Sequence, residues 1–154
     1  MKTLRLTAIL LFFAVIFCSC KKNENDVPYD EPAEIPVTEY SFTGTNCSLT
    51  RLEQDKLTVI TSNKELKNYI ICTDSNYPEI DFSKHTLLLA NGGVATGIYR
   101  IDTKFYRNAA NNYTLYVTVY LGISMFPETW RIYVLVPKIT DLSVITLDVQ
   151  LKDC

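Results

Sequence analysis

Residues 113–121 read YTLYVTVYL, with Tyr113, Leu115, Val117, Val119 and Leu121 on one parity and Thr114, Tyr116, Thr118 and Tyr120 on the other. Successive side chains of a strand point to opposite faces, so this alternation predicts a strand with one face in a core and one turned outward. Two later stretches repeat the pattern. Trp130, Ile132, Val134 and Val136 alternate with Arg131, Tyr133 and Leu135, and Ser143, Ile145, Leu147, Val149 and Leu151 alternate with Val144, Thr146, Asp148 and Gln150. Pro137 cannot donate to a ladder and marks where pairing of the first of these ends.

Toward the N-terminus, Tyr99, Ile101 and Phe105 share a parity opposite Arg100, Asp102 and Lys104, which predicts a half-exposed strand over 97–106. Asn108 to Asn112 reads as the loop joining it to the 113–121 strand. Thr86-Leu-Leu-Leu-Ala90 is apolar on both parities, as a central strand covered on both faces would be, and Asn91-Gly92-Gly93 predicts a turn that stops it. Leu57 to Thr61 reads as a strand. Ser62 or Asn63 then caps a short helix bearing Glu65, Leu66, Tyr69 and Ile70, ended by the polar loop from Thr73 to Pro78. At least five strands and one helix predict a β-rich α+β fold, either a mostly antiparallel sheet or a two-layer curled sandwich, as a single domain over 43–154.

The N-terminus carries different information. Met1, Lys2 and Arg5 precede an apolar run from Leu6 to Phe17, the order of regions in a secretory signal, and the run is too short for a comfortable membrane-spanning helix. It ends in Phe17-Cys18-Ser19-Cys20, which resembles the lipobox of bacterial lipoproteins. That resemblance implies removal of residues 1–19 and acylation of Cys20, with several acyl chains on one residue giving stable attachment. Residues 20–42 then form the lipidated cysteine and an acidic, Pro-rich tether, because repeated prolines and few apolar side chains do not offset the entropy of ordering. The expected location is the cell envelope, as a lipid-anchored protein of the outer membrane. Loss of Lys2 and Arg5 leaves 13 basic against 17 acidic residues, a net charge of -4, and no basic patch to suit a nucleic-acid partner.

A family resemblance rests on residues 57 to 138. Its pieces are the strand and short helix, Pro78-Glu-Ile-Asp-Phe-Ser-Lys-His-Thr-Leu-Leu-Leu-Ala90, the glycine-containing stretch, Thr96-Gly-Ile-Tyr-Arg-Ile101 and Ile132-Tyr-Val-Leu-Val-Pro-Lys138. This region resembles the C-terminal domain of the protease complex subunit PrcB, as found in small exported lipoproteins of Bacteroides-type bacteria. Ile98 stands where that family has a second glycine. The resemblance implies a non-catalytic partner of a protease complex.

Candidate chemistry is sparse. His85 is the only histidine and has no nucleophile at a fixed spacing, so it reads as a hydrogen-bonding turn residue. Cys47, Cys72, Cys154 and His85 lack the paired short spacings of structural zinc, and export favours a disulfide of Cys47 with Cys72 or Cys154. Glu79 and Asp81 lack the ligand density and glycine turn of a calcium loop, and Asp81 reads as shaping the turn into the central strand. No helix follows Asn91-Gly92-Gly93 to hold a phosphate. No catalytic residue, metal or cofactor is expected.

Tyr116, Tyr120 and Tyr133 fall on the outward parity of their strands and, with Arg131, form the candidate binding face, since tyrosine and arginine are enriched in interfaces. The functional expectation is a non-enzymatic, membrane-anchored interaction module with a protein partner in the envelope. The alternative is a carrier whose curled sheet encloses a small apolar ligand or lipid.

Overall fold

The computed structural model describes residues 32–50, 52–74, 77–140 and 143–153. The expected signal over 1–19, the expected acylation site Cys20, the first part of the expected tether and Cys154 lie outside the described residues. The elements run β1 (Ala33–Ile35), β2 (Thr38–Glu39), β3 (Cys47–Leu49), β4 (Leu57–Ile60), α1 (Asn63–Leu66), β5 (Ile70–Cys72), β6 (His85–Val94), β7 (Ile98–Ala109), β8 (Asn112–Leu121), β9 (Glu128–Pro137) and β10 (Val144–Asp153).

Two four-stranded sheets form, one in the order β1-β7-β8-β10 and the other β2-β9-β6-β4, while β3 and β5 pair by themselves. The first is called sheet A and the second sheet B. The inward parity of β7 and β8 supplies Phe105, Leu115, Val117 and Val119, which meet Leu88, Ala90, Trp130, Ile132, Val134 and Val136 of sheet B in one core. Ile145, Leu147 and Val149 of β10 pack against the same core. Leu87 and Leu89 point the other way. They join Ile60, Leu66, Ile70, Ile80 and Phe42 in a second cluster on the far face of sheet B. Thr86 to Ala90 are fully buried because sheet B is the middle layer, between sheet A and a cap made of α1, β3 and β5. The fold is thus the β-rich two-sheet sandwich with one short helix.

Pairing is antiparallel except between β8 and β10, which run parallel from Val144↔Asn112 to Asp153↔Leu121. Chain order explains this exception. The chain leaves β8 for β9 in sheet B and returns to sheet A for β10, so a strand of the opposite sheet supplies the reversal.

Five expectations need correction. The helix ends at Leu66 after one turn, so Tyr69 follows it and Ile70, expected on it, opens β5, where pairing with β3 extends the chain. The glycines do not stop the central strand: β6 continues to Val94, with Gly92 opposite Trp130 and Gly93 opposite Thr129. A Cβ on Gly92 would lie 2.5 Å from the Trp130 ring, so glycine serves close packing of the indole and not a turn. The joining loop from Asn108 to Asn112 shrinks to Ala110 and Asn111 between paired Ala109 and Asn112, with Asn111 at φ 58. Tyr99 leaves the inward parity. The register slips between Ile98 and Arg100, a bulge that makes Tyr99 the extra residue and leaves it 73% exposed while Ile98 packs inward.

The last correction concerns the tether boundary at residue 42. β1 pairs with β7 through Ala33↔Arg107 and Ile35↔Phe105, β2 pairs with β9, and Phe42 is buried in the second cluster. Residues 33–42 therefore belong to the folded domain. Sparse apolar residues suffice here because Ile35 and Val37 pack against the core between the sheets and Phe42 fills the second cluster, both already built by other elements.

Candidate functional site

The outward parity of sheet A assembles a tyrosine-rich face from the residues upward. Pairing sets Arg100 beside Tyr120, Asp102 beside Thr118, Lys104 beside Tyr116 and Tyr106 beside Thr114. Tyr106 and Tyr116 meet edge to face, with ring centroids 5.7 Å apart. Tyr106 donates its hydroxyl hydrogen bond to the Glu34 carboxylate at 2.9 Å, and that bond holds the phenol above its ordinary pKa. Arg100 lies over the Tyr120 ring, 4.2 Å from its centroid, and its Nε is 3.1 Å from Asp102. Lys152 approaches the same ring from β10 at 6.0 Å, and Lys104 reaches Glu34 at 3.9 Å. Cations thus flank the tyrosines and hold them in place while their edges stay accessible.

No described strand or helix packs on this face, whereas both faces of sheet B are covered. Tyr116 and Tyr120 are half-buried among neighbours on their own face.

The four residues of the expected stripe do not come together. Tyr116 and Tyr120 belong to the outer face of sheet A, but Tyr133 lies on the far face of sheet B, separated from them by the core, and Arg131 is on β9 of sheet B. Tyr133 packs against Phe42 at 5.5 Å within the second cluster, where burial raises its pKa. Arg131 is exposed beside it and, with Tyr40, Ile101 and Thr103, lines a cleft of about 250 Å³ between the edges of the two sheets. Matching parity on two strands does not place residues on one surface when the strands sit in different sheets.

Other predicted positions are structural. Cys47 and Cys72 are directly paired across β3 and β5 and form a disulfide with a Cα–Cα separation of 4.0 Å, which fixes the cap. As a disulfide they are not available as zinc thiolates. Asp81 accepts from the Ser83 backbone N–H at 3.1 Å and from its hydroxyl, and lies 3.0 Å from the Lys84 ammonium. Its carbonyl accepts from the N–H of Lys84 and His85, so Asp81 does turn the chain into β6. The Ser83 hydroxyl and then Lys84 hold its carboxyl down at about 2. His85 starts β6 opposite Pro137. Among the described residues no three His, Cys, Asp or Glu side chains converge in the way a metal ion requires.

A second surface feature was not anticipated. The segment from β8 to β9 carries Ile123, Met125 and Phe126, at 103%, 91% and 78% exposure, and Gly122 at its start lies against the backbone N of exposed Tyr99. Backbone bonds fasten this loop: Gly97 N–H donates to Ser124 O at 2.9 Å, and Gly122 N–H donates to Gly97 O at 2.7 Å. A Cβ on Gly97 would come within 2.7 Å of the Ser124 Cβ, so glycine permits the loop to lie against it. An uncharged apolar run, GISMFP over 122–127, after strand alternation has ended is the signal that points to it in the sequence. No known protein family, curated protein or solved structure matches the chain.

Proposed function

We propose that this chain is a non-enzymatic, lipid-anchored cell-envelope protein whose domain binds another protein through the outer face of sheet A. The observation that carries the reading is the uncovered sheet face itself, on which Tyr106, Tyr116 and Tyr120 are braced by Arg100, Lys104 and Glu34. Tyrosines whose rings are already ordered lose little entropy on binding and present both apolar area and a hydroxyl. The signal and Cys20 supply the location, and the likeness of residues 57–138 to the PrcB C-terminal domain supports a role as a non-catalytic partner.

The test is a paired substitution, Tyr106→Ser with Tyr116→Ser, in the mature lipoprotein. Partner capture from detergent-solubilised envelopes falls at least tenfold while the urea midpoint stays near that of the parent. Undiminished capture by the folded double variant would exclude this face.

A further inference from the structure

We infer that the apolar tip formed by Tyr99, Ile123, Met125 and Phe126 is a second membrane contact, which seats the far end of the domain in a lipid bilayer. The segment is uncharged from Gly122 to Pro127, and Ile123 is as exposed as a side chain can be. A fluid bilayer receives such a protrusion without needing a shaped groove, and each large apolar side chain that leaves water strengthens the contact. The loop is held in place by Gly97 and Gly122, so little conformational entropy is lost when it inserts. Arg100 and Lys152 stand just behind the tip on sheet A, with Glu128 and Asp153 at the same end, so apolar insertion and not net charge is the driving term.

The position of the tether makes the contact reachable. Ala33 pairs with Arg107, at the opposite end of β7 from Tyr99, and the nine steps from Ile98 to Arg107 span about 30 Å of strand. Twelve steps separate Cys20 from Pro32, and they extend to about 40 Å at most. A domain with its tip in the bilayer therefore holds the start of β1 within reach of a lipid on Cys20. This geometric point rests on the anchoring proposed above; the test does not.

The probe is the unacylated mature chain, residues 20–154 with Cys20→Ser, mixed with vesicles of phosphatidylethanolamine and phosphatidylglycerol. It should cosediment with the vesicles, and the triple variant Ile123→Ser, Met125→Ser, Phe126→Ser should partition at least tenfold more weakly. In a separate Phe126→Trp variant, tryptophan emission should shift to the blue on adding vesicles, against the constant background of buried Trp130. This second variant keeps the tip apolar and gives a readout even if the triple variant folds poorly. Absence of vesicle binding by the parent, equal binding by the folded triple variant, or an unshifted Phe126→Trp emission would overturn the proposal. A triple variant that loses a protein partner while the parent ignores vesicles would make the tip a protein site and would equally overturn it. Because Cys20 is replaced throughout, failure here is separate from failure of lipid anchoring or of the sheet A face.

Discussion

Gly92 occupies a place that any side chain would have to share with Trp130. A Cβ there meets the indole at 2.5 Å and the Asp55 carboxylate at 2.4 Å, and neither the rigid ring nor the paired strand behind it can yield cheaply. Gly92→Ala should destabilise the domain by about 1–3 kcal/mol, read as a lower urea midpoint, through overpacking of a filled core. An unchanged midpoint would mean that the indole has another rotamer available. In the sequence the same glycine reads as part of a turn, because Asn-Gly-Gly is a turn signal and nothing local reveals an indole opposite it.

Asp81 gives a residue-scale prediction with a sign set by linkage. Its carboxyl is held at about 2, below the ordinary 3.8, so the folded state favours the charged form. The stability it contributes is complete above about pH 4 and is lost as pH falls through about 2. The parent should therefore exceed Asp81→Asn in urea midpoint at pH 5, and the gap should narrow at pH 2. A gap that is constant across this range would show that Ser83 and Lys84 do not distinguish the charged carboxyl. The role of Asp81 was legible from its place before an apolar run, since an aspartate that bonds the N–H two residues on is a turn former.

At the scale of elements, the short strap of β1 and β2 ties the edges of the two sheets together, and Phe42 follows it into the cap. Phe42→Ala should cost about 3 kcal/mol, since burial of its ring against Tyr40 and Tyr133 is lost and a cavity remains. Equilibrium urea unfolding checks this, and a loss below about 1 kcal/mol would place residues 33–42 outside the cooperative unit. Long strands were legible because alternation over ten residues has no helical equivalent. The strap was not, because strands of two or three residues are too short to show a period and are stabilised by partners far along the chain. The start of α1 was legible through its cap, where Ser62 accepts from Glu65 N–H at 3.2 Å and the Glu65 carboxylate accepts from Thr61 N–H at 2.9 Å, but its end was not, because pairing with distant β3 takes Ile70 to Cys72 into a strand.

For the whole molecule, layer assignment decides what each surface can do. Local alternation gives the two faces of a strand but not the sheet to which it belongs, so Tyr116 and Tyr133 look equivalent in sequence and lie on opposite sides of sheet B in space. The middle position of sheet B leaves the outer face of sheet A as the open surface among the described residues. Its breadth comes from β7, β8 and β10, each at least ten residues long. The start of β1 lies at one end of this face and the apolar loop at the other, so the tyrosines lie on the flank between them.

The most direct measurement is site-specific photo-cross-linking in living cells from position 118, between Tyr116 and Tyr120 on the outer face, with position 64 on α1 as the control. Binding through the outer face of sheet A predicts a discrete protein adduct from position 118 that is absent from position 64 and is lost when Tyr106 and Tyr116 are replaced by serine. No adduct from position 118, or the same adduct from both positions, would contradict it.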